Sequence, residues 1–297
     1  IERPLERCGR SMSSAAADIA KRLPGRRSIL FAHGVEVTPI KTATLPPADH
    51  TNAYLVGDPK GDFVLVDPAV RMREDMERLA VTVERHRGEL VAILFTHSHG
   101  DHLADMSLLR EAFDVPVWGS EYTARSVSCD RILEDGEILE LGCQHWEVLI
   151  TPGHHPGHIC LLSDAGLIAG DMLAGIGTIL IPPHTGNMME YIAQLQRLKD
   201  KKPHLVFPSH GPVIANPGAL FQHYIDHRLA RHARVLEAVN HGERNLKSIA
   251  ASAYADSPDA HPALAADQTL SHLLALERTG DVEQSEGHWY LNTSGSE

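Results

Sequence analysis

Thr96-His97-Ser98-His99-Gly100-Asp101-His102 packs three imidazoles and a carboxylate into seven residues, directly behind the apolar run Leu90–Phe95. Six apolar residues ending in a polar turn read as a buried strand. In extended backbone, side chains two apart share a side, so His97 and His99 can grip one metal ion. Asp101 and His102 follow as the chain turns and can face a second ion. Imidazole and carboxylate donors without thiolate suit zinc, with manganese or iron as rivals.

Further along the chain, three more donors each close a predicted strand. His154 lies in Thr151-Pro152-Gly153-His154 after Glu147–Ile150, and Asp171 in Ala169-Gly170-Asp171 after Leu167–Ala169. His210 lies in Ser209-His210-Gly211-Pro212, after Leu205–Phe207. Upstream, Asn52–Val56 and Phe63–Val66 flank Gly57-Asp58-Pro59-Lys60-Gly61 and read as a hairpin. Met72, Met76, Leu79, Ala80 and Val83 keep helical spacing, and a second helix is expected through Leu103, Leu108 and Ala112. Tyr191, Leu195 and Leu198 mark a third, and Phe221 to Val239 hold a three-four spacing for about five turns. Helical stretches near 246–254 and 264–276 and a strand at 288–291 suggest a small winged-helix-like module. The expected organisation is an N-terminal extension at 1–28, a catalytic domain at 29–215 and the helical module at 216–297.

The 297 residues carry 27 basic and 39 acidic side chains, a formal net charge of −12. That balance disfavours a protein that grips nucleic acid through a broad basic surface. No apolar run approaches the roughly 20 residues that span a bilayer, so no membrane association is expected. Residues 1–28 are basic at both ends around the Ala-rich stretch 13–20, lack the apolar core of a secretory signal, and begin without Met. Cys8, Cys129, Cys143 and Cys160 form no CxxC pair, which points to a reducing, cytoplasmic setting. Twenty histidines, clustered, mark where the chemistry lies.

The order THxHxDH, TPGH, GD and SHGP resembles the metallo-β-lactamase-fold hydrolases over roughly residues 34–215. That resemblance implies an α/β fold, a four-layer αββα sandwich of two mixed sheets with the metals along one edge. It implies that His97, His99 and His154 bind one zinc and that Asp101, His102 and His210 bind the other. Asp171 would bridge both, and Asp67, in Val66-Asp67-Pro68, would orient the first-motif histidines. Gly175-Ile176-Gly177-Thr178, Ser209–Ile214 and Tyr224-Ile225-Asp226-His227-Arg228 look like the branch of lactamase-β-like protein 2 and glyoxalase II, with its winged-helix-like C-terminal extension. The chain departs from the pattern at His155, where the family usually has Thr, and at His158, where a small residue is common. His158 and His184 are read as groups that support the ligands or line the cleft. His223, His227 and His232, on the long helix, are read as packing or exposed residues.

Two zinc ions sharing a water lower its pKa toward about 7, so a hydrolase needs no serine or cysteine nucleophile. Asp101 and Asp171 would hold the second metal and orient the nucleophile, with His158 one candidate for the leaving-group acid. The leading expectation is hydrolysis of a thioester or ester in a small-molecule or carrier-linked acyl substrate. The alternative is an endoribonuclease or other phosphodiesterase. Residues 213–297 carry six Lys/Arg against eleven Asp/Glu, which favours the first. Lactam hydrolysis and a metal-stabilised binding protein rank lower. The oligomeric state is open.

Overall fold

The computed structural model describes residues 29–30 and 34–292. The N-terminal extension and its Ala-rich stretch at 13–20 lie outside the described residues. The chain divides into two compact units. The first holds residues up to 150, 157–178 and 203–217; the second holds 151–156, 179–202 and 218 onward.

Two sheets build the first unit. One runs in chain order through β1 (Ile29–Leu30), β2 (Glu36–Lys41), β3 (His50–Gly57), β4 (Asp62–Val66), β5 (Glu89–Leu94), β6 (Val117–Gly119) and β7 (Arg131–Ile132). Its first four strands are antiparallel, and from β4 onward neighbours are parallel. The other sheet has the order β13-β12-β11-β10-β9-β8. These are β8 (Ile138–Leu141), β9 (Gln144–Ile150), β10 (Ile159–Ser163), β11 (Gly166–Gly170), β12 (Leu205–Pro208) and β13 (Ile214–Ala215). Within it only β11 and β12 run parallel.

Strand alternation sorts the side chains. Val64 and Val66 join Trp146, Val148, Leu161 and Phe207 in a core drawn from both sheets. Phe63 and Leu65, one residue out of phase, point to the opposite face. There they meet Met76, Leu79 and Val83 of α1 (Arg73–Glu84) and Leu109 of α2 (Met106–Ala112). Each such side chain, fully buried, contributes roughly 1.5–3 kcal/mol. Helix α2 begins later than its apolar spacing implies and leaves Leu103 outside. The Asp105 carboxylate accepts from the Ser107 and Leu108 N–H groups and sets the start.

This topology carries the predicted donors to strand ends. Val66 of β4 pairs in parallel with Leu94 of β5, so Asp67 and Thr96 leave the sheet at the same edge. Gly170 of β11 pairs in parallel with Pro208 of β12, so Asp171 and His210 emerge together. Asn52 ties the two sheets there: its N–H donates to the Ser209 carbonyl at 2.8 Å, and its amide donates to the Pro208 and Gly211 carbonyls, each at 2.9 Å. C-terminal ends of parallel strands are where α/β sheets present ligand-binding groups.

The second unit contains α3 (Met188–Asp200), α4 (Gly218–Asn240), α5 (Leu246–Ala253), α6 (Pro262–Thr279) and a hairpin of β14 (Val282–Ser285) and β15 (His288–Leu291). Helices followed by a hairpin is the order a winged-helix-like module calls for. Val235, Val239, Ile249, Leu273, Leu276 and Trp289 form its core. Helix α6 has Pro262 in its first turn and ends on Gly280 at φ +82°, a conformation glycine adopts without steric cost. Among the described residues no helix is long and apolar enough to cross a membrane.

Candidate metal centre

The donors of the first unit converge. Nε2 of His97 and Nδ1 of His99 lie 3.0 Å apart. Two donors bound tetrahedrally to one zinc would stand roughly 3.3 Å apart. One ligand atom each from His97, His102 and Asp171 falls within 4.8 Å, and the same holds for Asp101, His102 and His210. His210 Nε2 is 3.4 Å from Asp171 Oδ1 and 3.6 Å from Asp101 Oδ2. His102 Nε2 is 3.6 Å from Asp171 Oδ1 and 4.0 Å from Asp101 Oδ1.

Groups behind the donors fix which nitrogen faces inward. Asp67 sits in the left-handed region at φ +45°, in the turn after β4. That turn aims Oδ1 at the Thr96 N–H (2.8 Å) and Oδ2 at both the Thr96 hydroxyl (2.5 Å) and His102 Nδ1 (2.9 Å). A carboxylate acceptor keeps the proton on Nδ1 and leaves Nε2 to face the other donors. His210 Nδ1 donates to the His50 carbonyl at 3.0 Å, with the same result. The Thr51 hydroxyl donates to the Asp101 carbonyl at 2.8 Å and anchors the motif loop.

Fully buried, His102 Nε2 has no hydrogen-bond partner among the described residues. Leaving a buried polar atom unsatisfied costs about 1–3 kcal/mol, and a divalent cation at that point would remove the penalty. Burial opposes charge on His102, yet the Asp171 and Asp67 carboxylates outweigh it and hold the imidazole well above its ordinary pKa. Burial likewise opposes the raised pKa of His210, and Asp171 again prevails. Asp171 is the reciprocal case: burial pushes it up, but His102 and His210 hold it well below the carboxylate range. A cluster that needs protons to balance its carboxylates is one a cation can occupy instead. Donor chemistry, spacing and the orphaned nitrogen all fit a metal ion.

His158 is fully buried in the first unit, where its Nε2 accepts from the Asp171 N–H at 2.9 Å. That nitrogen is thereby committed to holding Asp171, which does not suit a leaving-group acid facing substrate. His154 belongs to the second unit, where its Nδ1 donates to the Leu180 carbonyl at 2.7 Å. The preceding Gly153 presses on α3, where a Cβ would stand 2.3 Å from the Tyr191 backbone. Its carbonyl accepts from the Asn187 N–H. His155 is buried beside it, and His184 is exposed on a turn of the same unit. His223 and His227 are exposed on α4, whereas His232 is half-buried and its Nδ1 meets His272 Nδ1 at 3.2 Å.

Sequence reading gave no role to Thr96, Thr51 or Asn52, or to the His50 and Leu180 carbonyls. Thr96 sat inside the quoted motif and could have been suspected. Backbone carbonyls leave no mark in a sequence.

Comparison with known proteins adds five findings. A family model described as the metallo-beta-lactamase superfamily matches residues 46–210. A beta-lactamase-like protein 2 homolog of Drosophila melanogaster is 27% identical over 252 residues, 79% of this chain and 85% of that protein. A hydroxyacylglutathione hydrolase of Yersinia pestis is 32% identical over 160 residues, 52% of this chain and 59% of that one. In fold, a beta-lactamase domain protein from Burkholderia ambifaria superposes with a TM-score of 0.79 at 20% identity, covering 95% of this chain and 100% of that one. A metallo-beta-lactamase family protein from Thermus thermophilus gives 0.69 at 20% identity, over 86% and 98%.

Proposed function

The chain belongs to the metallo-β-lactamase superfamily as a metal-dependent hydrolase, and from that premise we propose that it is a dinuclear zinc enzyme cleaving a thioester or ester. The carrying observation is the convergence of His102, His210, Asp101 and Asp171, with Nε2 of both imidazoles turned toward the two carboxylates. In this reading His97, His99 and His154 would hold one zinc, Asp101, His102 and His210 would hold the other, and Asp171 would contribute to both. Bound zinc supplies Lewis acidity and lowers the pKa of water toward neutrality.

The protein's own residues keep that site ready. Asp67 and the His50 carbonyl hold the rings in one tautomer, His158 holds the Asp171 backbone, and Thr51 anchors the Asp101 loop. Asp101 is the more accessible of the two carboxylates and can steer the nucleophile and accept its proton. It opens on a cavity of about 550 Å³ lined also by Lys41, Thr42, Ala43, Arg71 and Gly100. Arg71 Nη2 donates to the Gly100 carbonyl at 2.5 Å.

A small-molecule or carrier-linked acyl substrate is favoured by the relatives named hydroxyacylglutathione hydrolase, a name that states cleavage of an acyl group from glutathione. It is favoured too by the net charge of −12, which suits a nucleic-acid substrate poorly. We place the enzyme in the cytoplasm. The test is a metal-quantified sample assayed in parallel on an acyl-thioester, single-stranded RNA and a chromogenic lactam. Turnover of the thioester, insensitive to salt, is expected; salt-sensitive RNA cleavage alone would replace this reading with the phosphodiesterase one.

A further inference from the structure

Ile179, Leu180 and Ile181 form no strand, yet Ile179 and Ile181 are buried. Buried backbone groups need partners, and without a ladder they must find them elsewhere. Side chains of α4 and α6, in the same unit, provide them. The Gln268 carboxamide grips Ile181 as a neighbouring strand would: Oε1 accepts from its N–H at 3.3 Å and Nε2 donates to its carbonyl at 2.9 Å. The Ser271 hydroxyl donates to the same carbonyl at 2.6 Å. Arg228 closes the arrangement, with Nη1 donating to Gln268 Oε1 at 3.0 Å and Nη2 donating to the Ile179 carbonyl. Arg228, Gln268 and Ser271 are 3%, 6% and 4% exposed, so these bonds are sheltered from water.

Held between those two clamped residues, the Leu180 carbonyl accepts from His154 Nδ1 at 2.7 Å. A carbonyl can only accept, so the ring carries its proton on Nδ1 and its lone pair on Nε2. We propose that Arg228 and Gln268 are positioning residues for His154: the C-terminal helices fix the Leu180 carbonyl, and that carbonyl fixes the tautomer and rotation of the imidazole. The module then has a role in the chemistry beyond its own folding. This rests on the reading of His154 as a zinc donor.

Zinc content and zinc affinity of the purified full chain, measured against a competing chelator beside circular dichroism, test both statements. His154→Ala is expected to bind one zinc equivalent fewer than the unmodified protein. Gln268→Leu and Arg228→Met should weaken that same equivalent by about 10–100-fold, the range for groups that orient a ligand, with the other equivalent unchanged. Arg228→Lys, which keeps a donor, should recover part of the loss. If Gln268→Leu fails to fold, Ser271→Ala removes a single bond to the Ile181 carbonyl and should show the same effect more weakly. Should His154→Ala lose one equivalent while the Arg228 and Gln268 variants only melt earlier and keep full zinc affinity, the inference is wrong and the ligand reading stands. If His154→Ala retains both equivalents, the ligand reading falls and takes the inference with it.

Discussion

The backbone N–H of Asp171 donates to Nε2 of His158 across 2.9 Å. The acceptor nitrogen cannot also carry a proton, so the His158 proton sits on Nδ1. The ring is fully buried, with its centroid 5.1 Å from that of His97. A Cβ on Gly170 would stand 2.3 Å from the same nitrogen, and Gly170 already has φ +51°. His158 therefore packs tightly against Gly170 and Asp171 and holds the backbone from which the carboxylate projects.

His158→Ala removes this acceptor from a buried N–H, at a cost of about 1–3 kcal/mol. It is expected to lower kcat more than it raises KM, because it disturbs the carboxylate and not the cavity wall. His158→Gln, whose carbonyl can accept the same bond, should keep more activity. Gly170→Ala should be the more damaging change, since the added methyl meets both the ring and an unfavourable φ. Equal kcat in His158→Ala and the parent would remove His158 from the mechanism.

Asp67 accepts from the Thr96 N–H, the Thr96 hydroxyl and His102 Nδ1. Asp67→Asn offers at best one acceptor oxygen, and its amide N–H groups would face a donor. The expected result is a folded protein with zinc affinity lowered by about 10–100-fold, read by competition with a chelator. Unchanged affinity would show that His102 does not need this carboxylate.

The candidate donors stood out in the sequence because each is a side chain of distinctive chemistry at the end of an apolar run. His97, His99, Asp101 and His102 follow β5, and Asp171 and His210 follow parallel neighbours. The hairpin around Gly57–Gly61 was legible for the same reason, through its turn residues. Strand β2 escaped notice because Pro39 interrupts its alternation. The start of α2 was misplaced because Leu103 continues the apolar spacing, whereas the Asp105 cap decides where the helix begins. Residues that hold the candidate ligands act through backbone carbonyls at His50 and Leu180 or through common hydroxyls at Thr51 and Thr96. Their roles arise only when distant segments meet.

Metal uptake should release protons. In the metal-free protein, burial opposes charge on His102 and His210, but Asp171 prevails and raises both above the ordinary 6.5. Their stabilising contribution to the metal-free fold is complete below pH 6.5 and is lost as pH rises through the raised values. Asp171, held low, contributes above pH 3.8, and its share is lost as pH falls through its depressed value. Near pH 7 zinc must displace protons from the imidazoles, so apparent affinity should climb with pH. Calorimetric titration in buffers of different ionisation enthalpy measures the release directly, and zero release at pH 7 would contradict the charge state inferred for the cluster.

Lys41 and Arg71 both line the cavity onto which Asp101 opens. Both are solvent-exposed, so each is expected to act on substrate with the modest strength of a surface ion pair, about 0.2–1 kcal/mol. Lys41→Ala and Arg71→Ala should raise KM up to about fivefold for an acyl-thioester bearing a carboxylate or phosphate, and leave a neutral one unchanged. The difference should shrink as salt rises. Equal KM changes for charged and neutral substrates would mean that the two side chains shape the cavity without reading charge.

The second unit should weaken in mild acid through His272. Burial is the main cause that holds its pKa well below 6.5, helped by the positive charge of Arg228, His232, Arg231 and His227. His232 is lowered as well, again mainly by burial, although Asp281 opposes the shift. For a histidine depressed in the fold, the unfolded chain takes up its proton first. The contribution to stability is therefore complete above pH 6.5 and falls as pH drops through that value toward the depressed one. His102 and His210 act in the opposite sense in the metal-free protein, so the slope must be compared between variants rather than read from one curve. His272→Gln keeps a polar group beside His232 Nδ1 but does not titrate. Urea midpoints between pH 7.5 and 5.5, above the range where ordinary carboxylates protonate, should fall more steeply in the parent than in His272→Gln. Parallel slopes would show that His272 enters the folded and unfolded states with the same proton affinity.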